Sequence, residues 1–319
     1  MQPSCVIPCM KAIILNDFGP ASNLHLADLP LPQINNEQVL VKVSSISINP
    51  VDIKTREGKG SASNIKDRPV ILGWDISGEV TESNSSHFKK GDAVFGMINF
   101  PGHGKAYAEY VAAPAAHLAL KPGNISHDEA AAACLAALTA WQNLTEHFKV
   151  KKGDKVLIHA GSGGVGHYAI QIAKYLGAYV VATSSADNKR FVMSLGADEH
   201  IDYKAVNFED ETSDIDFVLN SLGSEITGRS FKVLKKGGTV ISIASGINDE
   251  LAENARAMGV KALHTMVKSN GSDMEQLAEL LEDGKIRSQV SEVFALEDMQ
   301  KAHASVDSGR AVGKVVVKV

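Results

Sequence analysis

The sequence is short of several things, and each shortage removes a class of protein. It has only three cysteines in 319 residues, Cys5, Cys9 and Cys134. They cannot build a disulfide framework or a four-cysteine zinc lobe, and a reducing, cytoplasmic setting is expected. Basic charge is not in excess. Lys and Arg number 32 against 37 Asp and Glu, a formal net charge of −5, so no face is forced toward nucleic acid or an anionic membrane. No window holds the ~18 consecutive apolar residues that a membrane-spanning helix needs. The first ten residues lack a basic n-region, and Pro3 and Pro8 interrupt their apolar stretch, so they do not read as a signal peptide. Residues 1–9 read as a loose extension, and either Met1 or Met10 can serve as initiator. There is no internal repeat and no low-complexity segment.

What is present is a balanced globular chain, 44% hydrophobic and 22% charged. Its length matches two domains at roughly 150 residues each, with a core large enough to need no staple. The first third reads as β-rich. Met10–Leu15, Gln38–Ile48, Gly78–Val80 and Asp92–Phe95 are Val- and Ile-bearing runs bounded by Gly, Pro and Asn. From about residue 126 the pattern changes. Asp128–Leu144 is Ala-rich and helical, with Ser126 placed as N-cap. Strands at Lys155–Ala160, Tyr179–Thr183, His200–Asp202, Asp216–Asn220 and Thr239–Ala244 then alternate with helices at Val165–Leu176 and Asn188–Leu195. This βαβ order implies a doubly wound parallel sheet covered by helices on both faces. A further helix is expected at Met274–Leu281, and a last strand at Lys314–Val319 that can return to the first domain. The expected domains are 1–125 with 286–319, and 126–285.

The informative segment runs Val156-Leu157-Ile158-His159-Ala160-Gly161-Ser162-Gly163-Gly164-Val165-Gly166. Its Gly-x-Gly-x-x-Gly turn lies between an apolar strand and an amphipathic helix, the context in which such a turn cradles a dinucleotide pyrophosphate. Backbone amides from Gly161 to Val165 and the helix dipole would then meet the negative charge. About 20 residues on, an acidic residue would mark a free ribose diol. This chain has Thr183-Ser184-Ser185-Ala186-Asp187-Asn188-Lys189-Arg190 instead. Ser184, Ser185 and Lys189 suit a ribose carrying a 2′-phosphate, which points to NADP. The alternative is that both serines only cap the next helix. Asp187 is discordant and is read as lying just inside that helix, facing away.

Five segments in fixed order carry a family resemblance: Asn49-Pro50-Val51-Asp52-Ile53-Lys54, Gly73-Trp74-Asp75-Ile76-Ser77-Gly78-Glu79-Val80, Tyr107-Ala108-Glu109-Tyr110-Val111, Leu138-Thr139-Ala140-Trp141 and Gly161–Gly166. They resemble the medium-chain dehydrogenase/reductase superfamily, in its zinc-free quinone oxidoreductase and enone reductase branch, from Met10 to Val319. The resemblance implies an α/β fold: a GroES-like β-rich catalytic domain plus a Rossmann domain, with the active site in the cleft between them. Zinc-dependent relatives carry Cys where this chain has Asn49, and Gly-His-Glu where it has Gly73-Trp74-Asp75. His103, His117, His127 and His147 have no ligand-like spacing, so no metal is expected.

The resemblance also places residues. Asn49 and Lys54 are expected at the nicotinamide side, Asn49 as an uncharged partner for a substrate oxygen and Lys54 on a ribose or pyrophosphate oxygen. Thr139 is expected near the nicotinamide and Tyr203 beside the adenosine ribose and phosphate. Asn220 and Leu222 after the fourth strand, and Ile243, Ala244 and Ser245 after the fifth, are expected to complete the cofactor rim. Many relatives have Asp at the position of Asn220, and a Tyr-x-Arg-x-Gly pattern that Thr55-Arg56-Glu57-Gly58 lacks. Tyr107 is the remaining candidate on the substrate side. The expected activity is NADPH-dependent hydride transfer to a quinone or α,β-unsaturated carbonyl, without zinc. The alternatives are a zinc-free NADP-dependent alcohol dehydrogenase or carbonyl reductase, and a non-catalytic NADPH-binding protein. A homodimer pairing through residues 261–269 is expected, with no nucleic-acid or membrane partner.

Overall fold

The structure is a computed structural model that describes residues 8–319. The expected extension falls almost wholly outside the described residues. Along the chain run β1 (Cys9–Ile14), β2 (His25–Pro30), β3 (Gln38–Ile48), α1 (Pro50–Arg56), β4 (Asp75–Ser83), β5 (Ala93–Met97), β6 (Tyr110–Pro114), β7 (Ala119–Leu120) and α2 (His127–Gln142). Then follow β8 (Lys155–Ile158), α3 (Gly166–Tyr175), β9 (Tyr179–Ser184), α4 (Lys189–Ser194), β10 (Glu199–Asp202), α5 (Phe208–Glu211), β11 (Ile215–Asn220), α6 (Ser224–Ser230), β12 (Leu234–Ser242), α7 (Asp249–Met258) and β13 (Lys261–His264). The last elements are α8 (Gly271–Glu282), β14 (Val290–Ala295), α9 (Met299–Asp307) and β15 (Lys314–Lys318).

The chain divides into two compact units. The first holds residues up to Leu135, Lys268–Asp283 and Ser288–Val319; the second holds Ala136–Val267 and Gly284–Arg287. The division runs inside α2 and not at residue 125, because Asp75 of β4 accepts from the backbone N–H of Leu135. It also puts α8 in the first unit, where Gly271 lies so close to the Ala116 carbonyl that no side chain fits.

The first unit is built on a mixed sheet in the order β14-β15-β3-β4-β5-β7, with β6 also pairing to β3, and a separate β1-β2 hairpin. β15 is antiparallel to β3, with Val316 opposite Ser47, so the last strand completes a sheet begun some 270 residues earlier. Ile13, Leu15, Val41, Ile46, Ile76, Val94 and Val317 are among the buried residues of its core. Strand β4 is longer than the expected Gly78–Val80. Its outer half carries Glu79, Thr81 and Glu82, which break the apolar run and lie exposed or half-buried around the buried Val80.

The second unit is a six-stranded parallel sheet in the order β10-β9-β8-β11-β12-β13. Its strands are nearly continuous apolar runs, as burial on both faces requires: Val156-Leu157-Ile158, Val180-Val181-Ala182, Phe217-Val218-Leu219. The order reverses between β8 and β11. In such sheets the carboxyl ends of the strands at that reversal form the ligand-binding edge. Helix α2 ends two residues before the expected Leu144 and passes into a π-helical turn, Asn143–His147, where the Asn143 amide donates to the Thr139 carbonyl at 2.8 Å.

Candidate functional site

The turn after β8 is shaped by contacts that leave no room for side chains. Ala160 takes a left-handed conformation, φ 51°. Its carbonyl accepts from Gly163 N–H at 2.9 Å. A Cβ on Gly166 would be driven into that same carbonyl oxygen. One on Gly161 would sit 3.0 Å from the Ala182 Cβ of β9 and 3.1 Å from Ile170 Cδ1 of α3. Gly161 and Gly166 thus close the turn against strand and helix, while Ser162, Gly163, Gly164 and Val165 stay half-exposed at the start of α3. This is a cradle for an anion, and its donor set fits a dinucleotide pyrophosphate.

A buried histidine locks the base of the turn. The Ser230 hydroxyl donates to the Ile226 carbonyl at 2.6 Å, so it accepts from His159 Nε2 at 3.0 Å. Nδ1 is then the acceptor for the Thr183 hydroxyl, at 3.2 Å. Ala160 N–H in turn donates to Thr183 Oγ1 at 3.3 Å. Burial, with Arg229 nearby, depresses the imidazole's pKa to about 3. Sequence reasoning did not single out His159, which a strand of apolar neighbours disguises as one more core position.

At the end of β9 the expected residues separate. Ser184 is buried, and its hydroxyl lies 3.1 Å from the Ser185 carbonyl and 2.8 Å from His200 Nε2. It therefore faces inward, because the neighbouring strand β10 supplies its partner. Ser185, Asn188 and Lys189 form the outward rim. The Asn188 amide reaches Ser162 Oγ at 3.1 Å and Ser185 Oγ at 3.4 Å, tying this rim to the glycine turn. Asp187 lies exposed in a 3-10 turn, Ala186–Asn188, ahead of α4 and not inside it. Tyr203 is exposed, and its N–H donates to the Ser184 carbonyl at 3.3 Å.

At the end of β11, Asn220 is fully enclosed. Its amide donates to the Gly223 carbonyl at 2.8 Å and Thr227 Oγ1 at 2.9 Å, and its Oδ1 accepts from Leu222 N–H at 2.9 Å. It shapes the loop and leaves the exposed Leu222 as the surface of that loop. Ile243, Ala244 and Ser245 are half-buried at the end of β12, with Ser245 Oγ 3.1 Å from Ser224 Oγ. Thr139 is buried within α2.

In the first unit, Asn49, Asp52, Asp75 and Lys314 meet in the interior. Asn49 is the N-cap of α1, with Pro50 next and Asp52 reaching back to accept the Asn49 N–H at 2.6 Å. The Asn49 amide donates to Asp75 Oδ2 at 2.8 Å, and its oxygen accepts from the Lys314 ammonium, which also donates to the Ile48 carbonyl at 2.9 Å. Asn49 therefore has no polar atom left for a substrate oxygen; it holds α1 to β4 and β15. Burial raises Asp75 to about 6 and raises Asp52 as well, with Asp75 adding to the latter. Burial lowers Lys314 while both carboxyls oppose that shift.

Tyr107 is likewise enclosed. The Arg56 guanidinium can only donate, so His303 Nδ1 accepts from it at 3.3 Å. His303 Nε2 then donates to the Tyr107 hydroxyl at 3.1 Å. Burial, then Asp52, pushes Tyr107 well above 10. Tyr107 is an interior anchor and not a proton donor on an open surface. Lys54, on the last turn of α1, is exposed. Among the described residues no group of three or more His, Cys, Asp or Glu could hold a metal ion. The residues at the zinc-ligand positions do not fit zinc, since Asn49 already faces an ammonium that would repel a divalent cation.

Comparison with known proteins agrees with this geometry. The alcohol dehydrogenase GroES-like domain model matches residues 35–123, and the zinc-binding dehydrogenase model matches residues 195–317. The chain is 35% identical to 2-methylene-furan-3-one reductase of Solanum lycopersicum, over 97% of this chain and 79% of that protein. It is 33% identical to the chloroplastic NADPH-dependent alkenal/one oxidoreductase of Arabidopsis thaliana, with the same coverage of 97% and 79%. Among solved structures it resembles the quinone oxidoreductase from Coxiella burnetii, with TM-score 0.92 and 38% identity over 98% of this chain and 100% of that one. The chain belongs to the medium-chain dehydrogenase/reductase superfamily, in its quinone oxidoreductase and enone reductase branch.

Proposed function

We propose that the protein is an NADPH-dependent oxidoreductase whose acceptors are quinones or α,β-unsaturated carbonyl compounds. The carrying observation is the end of β9. It offers the Ser185 hydroxyl, held by the Asn188 amide so that its own proton points outward, beside the exposed Lys189, and the one carboxylate of that turn, Asp187, is exposed. Hydroxyl and ammonium donors complement a 2′-phosphate of nearly two negative charges. NADPH, when bound, supplies the hydride that such acceptors take up. The chain's own work is to bind and orient. The amides of Ser162, Gly164 and Val165 hold the pyrophosphate, those of Gly161 and Gly163 being given to the Thr183 and Ala160 carbonyls; Ser185, Lys189 and Tyr203 hold the 2′-phosphate end, with Asn188 orienting Ser185. Leu222 and Ile243–Ser245 line the rim and Thr139 serves the nicotinamide; Lys54, exposed on α1, is the first unit's own candidate cation. Asn49 fixes the start of the helix that carries Lys54. Tyr107, the candidate acid, is enclosed, which fits acceptors activated by their own conjugation and protonated from solvent.

We place the protein in the cytoplasm as a homodimer joined through β13. That strand is one edge of the parallel sheet; Leu263 on it is 42% exposed and Met266, two residues past its end, 53%. The functional test is turnover. A quinone, an enone and a plain aldehyde are each mixed with protein and NADPH or NADH, and loss of reduced-nicotinamide absorbance is followed. Oxidation of NADPH by quinone or enone but not by aldehyde is expected. Aldehyde preference would reject the acceptor class, and tight NADPH binding without turnover would make the protein a binding protein.

A further inference from the structure

One titratable group at the carboxyl edge of the second unit has no part in the cofactor contacts above. His200 sits half-buried on β10, its Nε2 2.8 Å from the buried Ser184 hydroxyl. That hydroxyl has one proton and two acceptors within reach, the imidazole and the Ser185 carbonyl at 3.1 Å. When the imidazole is neutral at Nε2, Ser184 donates to it. When Nε2 is protonated, the direction reverses: the imidazole donates to Ser184, and Ser184 donates to the Ser185 carbonyl. Both directions of this hydrogen bond are therefore satisfied without rearranging the strand. The ring is thus one hydrogen bond from Ser184, whose neighbour Ser185 stands on the outward rim.

The charged groups that face the imidazole are Lys189 and Asp202. Burial and then Lys189 oppose its protonation; Asp202 and the Ser185 backbone favour it, and the balance holds the ring below its usual 6.5. Asp202 also accepts from the Lys204 N–H at 3.1 Å. Asp187 and Arg190 lie exposed nearby in sequence on the same turn. A phosphate dianion brought to Lys189 reverses that balance, because it supplies the negative charge that a second cation beside Lys189 lacks.

We propose that His200 is a specificity-determining residue for the 2′-phosphorylated cofactor: it takes up a proton when the 2′-phosphate binds, and becomes, with Lys189, one of two cations that recognise it. The proposal rests on the reading that the cofactor is NADPH. Binding of the unphosphorylated cofactor should move no proton, because a 2′-hydroxyl donates or accepts equally well.

The experiment is titration calorimetry of NADP⁺ and NAD⁺ into wild-type protein and His200→Gln, in two buffers of unequal ionisation enthalpy near neutral pH. A net proton uptake is expected for NADP⁺ alone, in wild type alone. The phosphate's own ionisation, with pKa about 6, gives the opposite sign, since binding to cations drives its proton off. In wild type the affinity ratio of NADP⁺ over NAD⁺ should rise about threefold or more from about pH 8 to about pH 6.5, under the limit of about tenfold per pH unit for one linked proton. In His200→Gln it should stay flat or fall. No uptake by wild type, or undiminished uptake by the variant, overturns the proposal while leaving the NADPH reading intact. Equal affinity of wild type for both cofactors at every pH overturns both.

Discussion

At the scale of single residues, two buried groups make opposite demands on the solvent. His159 is held neutral, with its pKa depressed to about 3 against about 6.5 when unfolded. The unfolded chain binds the extra proton between those values, so this histidine's contribution to stability is complete above pH ~6.5 and is lost as pH falls toward ~3. The advantage of wild type over His159→Gln in urea unfolding should therefore shrink by about 2 kcal/mol between pH ~7.5 and pH ~5. A constant difference would show that the ring is not enclosed. Lys314 is the converse case, an interior ammonium facing Asn49 and two carboxyls. Lys314→Met should cost about 3–5 kcal/mol, because it strands acidic groups in the interior, and adding Asp75→Asn should recover part of that loss. A single-variant loss under about 1 kcal/mol would place the ammonium in solvent.

At the scale of elements, the turn before α3 works by contact distance. Gly166→Ala should push the helix off the Ala160 carbonyl, costing about 1–3 kcal/mol of stability as an overpacked site. It should also weaken NADPH binding by at least about tenfold, or ~1.4 kcal/mol. Unchanged affinity in that variant would mean the turn does not carry the pyrophosphate. This turn was legible in the sequence because its requirement is local: an apolar strand, three spaced glycines and an amphipathic helix lie within about twenty residues. The parallel strands were legible for the same reason. Asn49 and Tyr107 were placed on the open side of the site by resemblance, and Ser184 by its distance from the glycine turn, and each turns out to be enclosed. The partners that enclose them, Lys314, His200 and His303, come from distant or neighbouring strands and helices that no local pattern reveals. Helix α7 escaped notice because its polar face masks a short apolar stripe, Leu251 and Ala255, and α6 because the residues it buries, Thr227 and Ser230, are polar.

At the scale of the whole molecule, the outer edge of β13 offers unpaired backbone and exposed apolar side chains, a combination that soluble proteins usually cover. Sedimentation should find a dimer, and Leu263→Lys should shift it toward monomer with the same circular dichroism. A wild type that sediments only as monomer would reject the β13 interface.

The return of β15 to β3 also bears on how the protein is made. A ribosome emits β3, α1 and β4 early, with Asn49, Asp52 and Asp75 already placed along them, and Lys314 only after all six strands of the parallel sheet have followed. The parallel sheet can mature while the five earlier strands still wait for β14 and β15 and for the Lys314 ammonium that faces their interior acids. During translation the first-made half of this protein is therefore the last to become native, and the nascent chain at that stage is the form most in need of a chaperone.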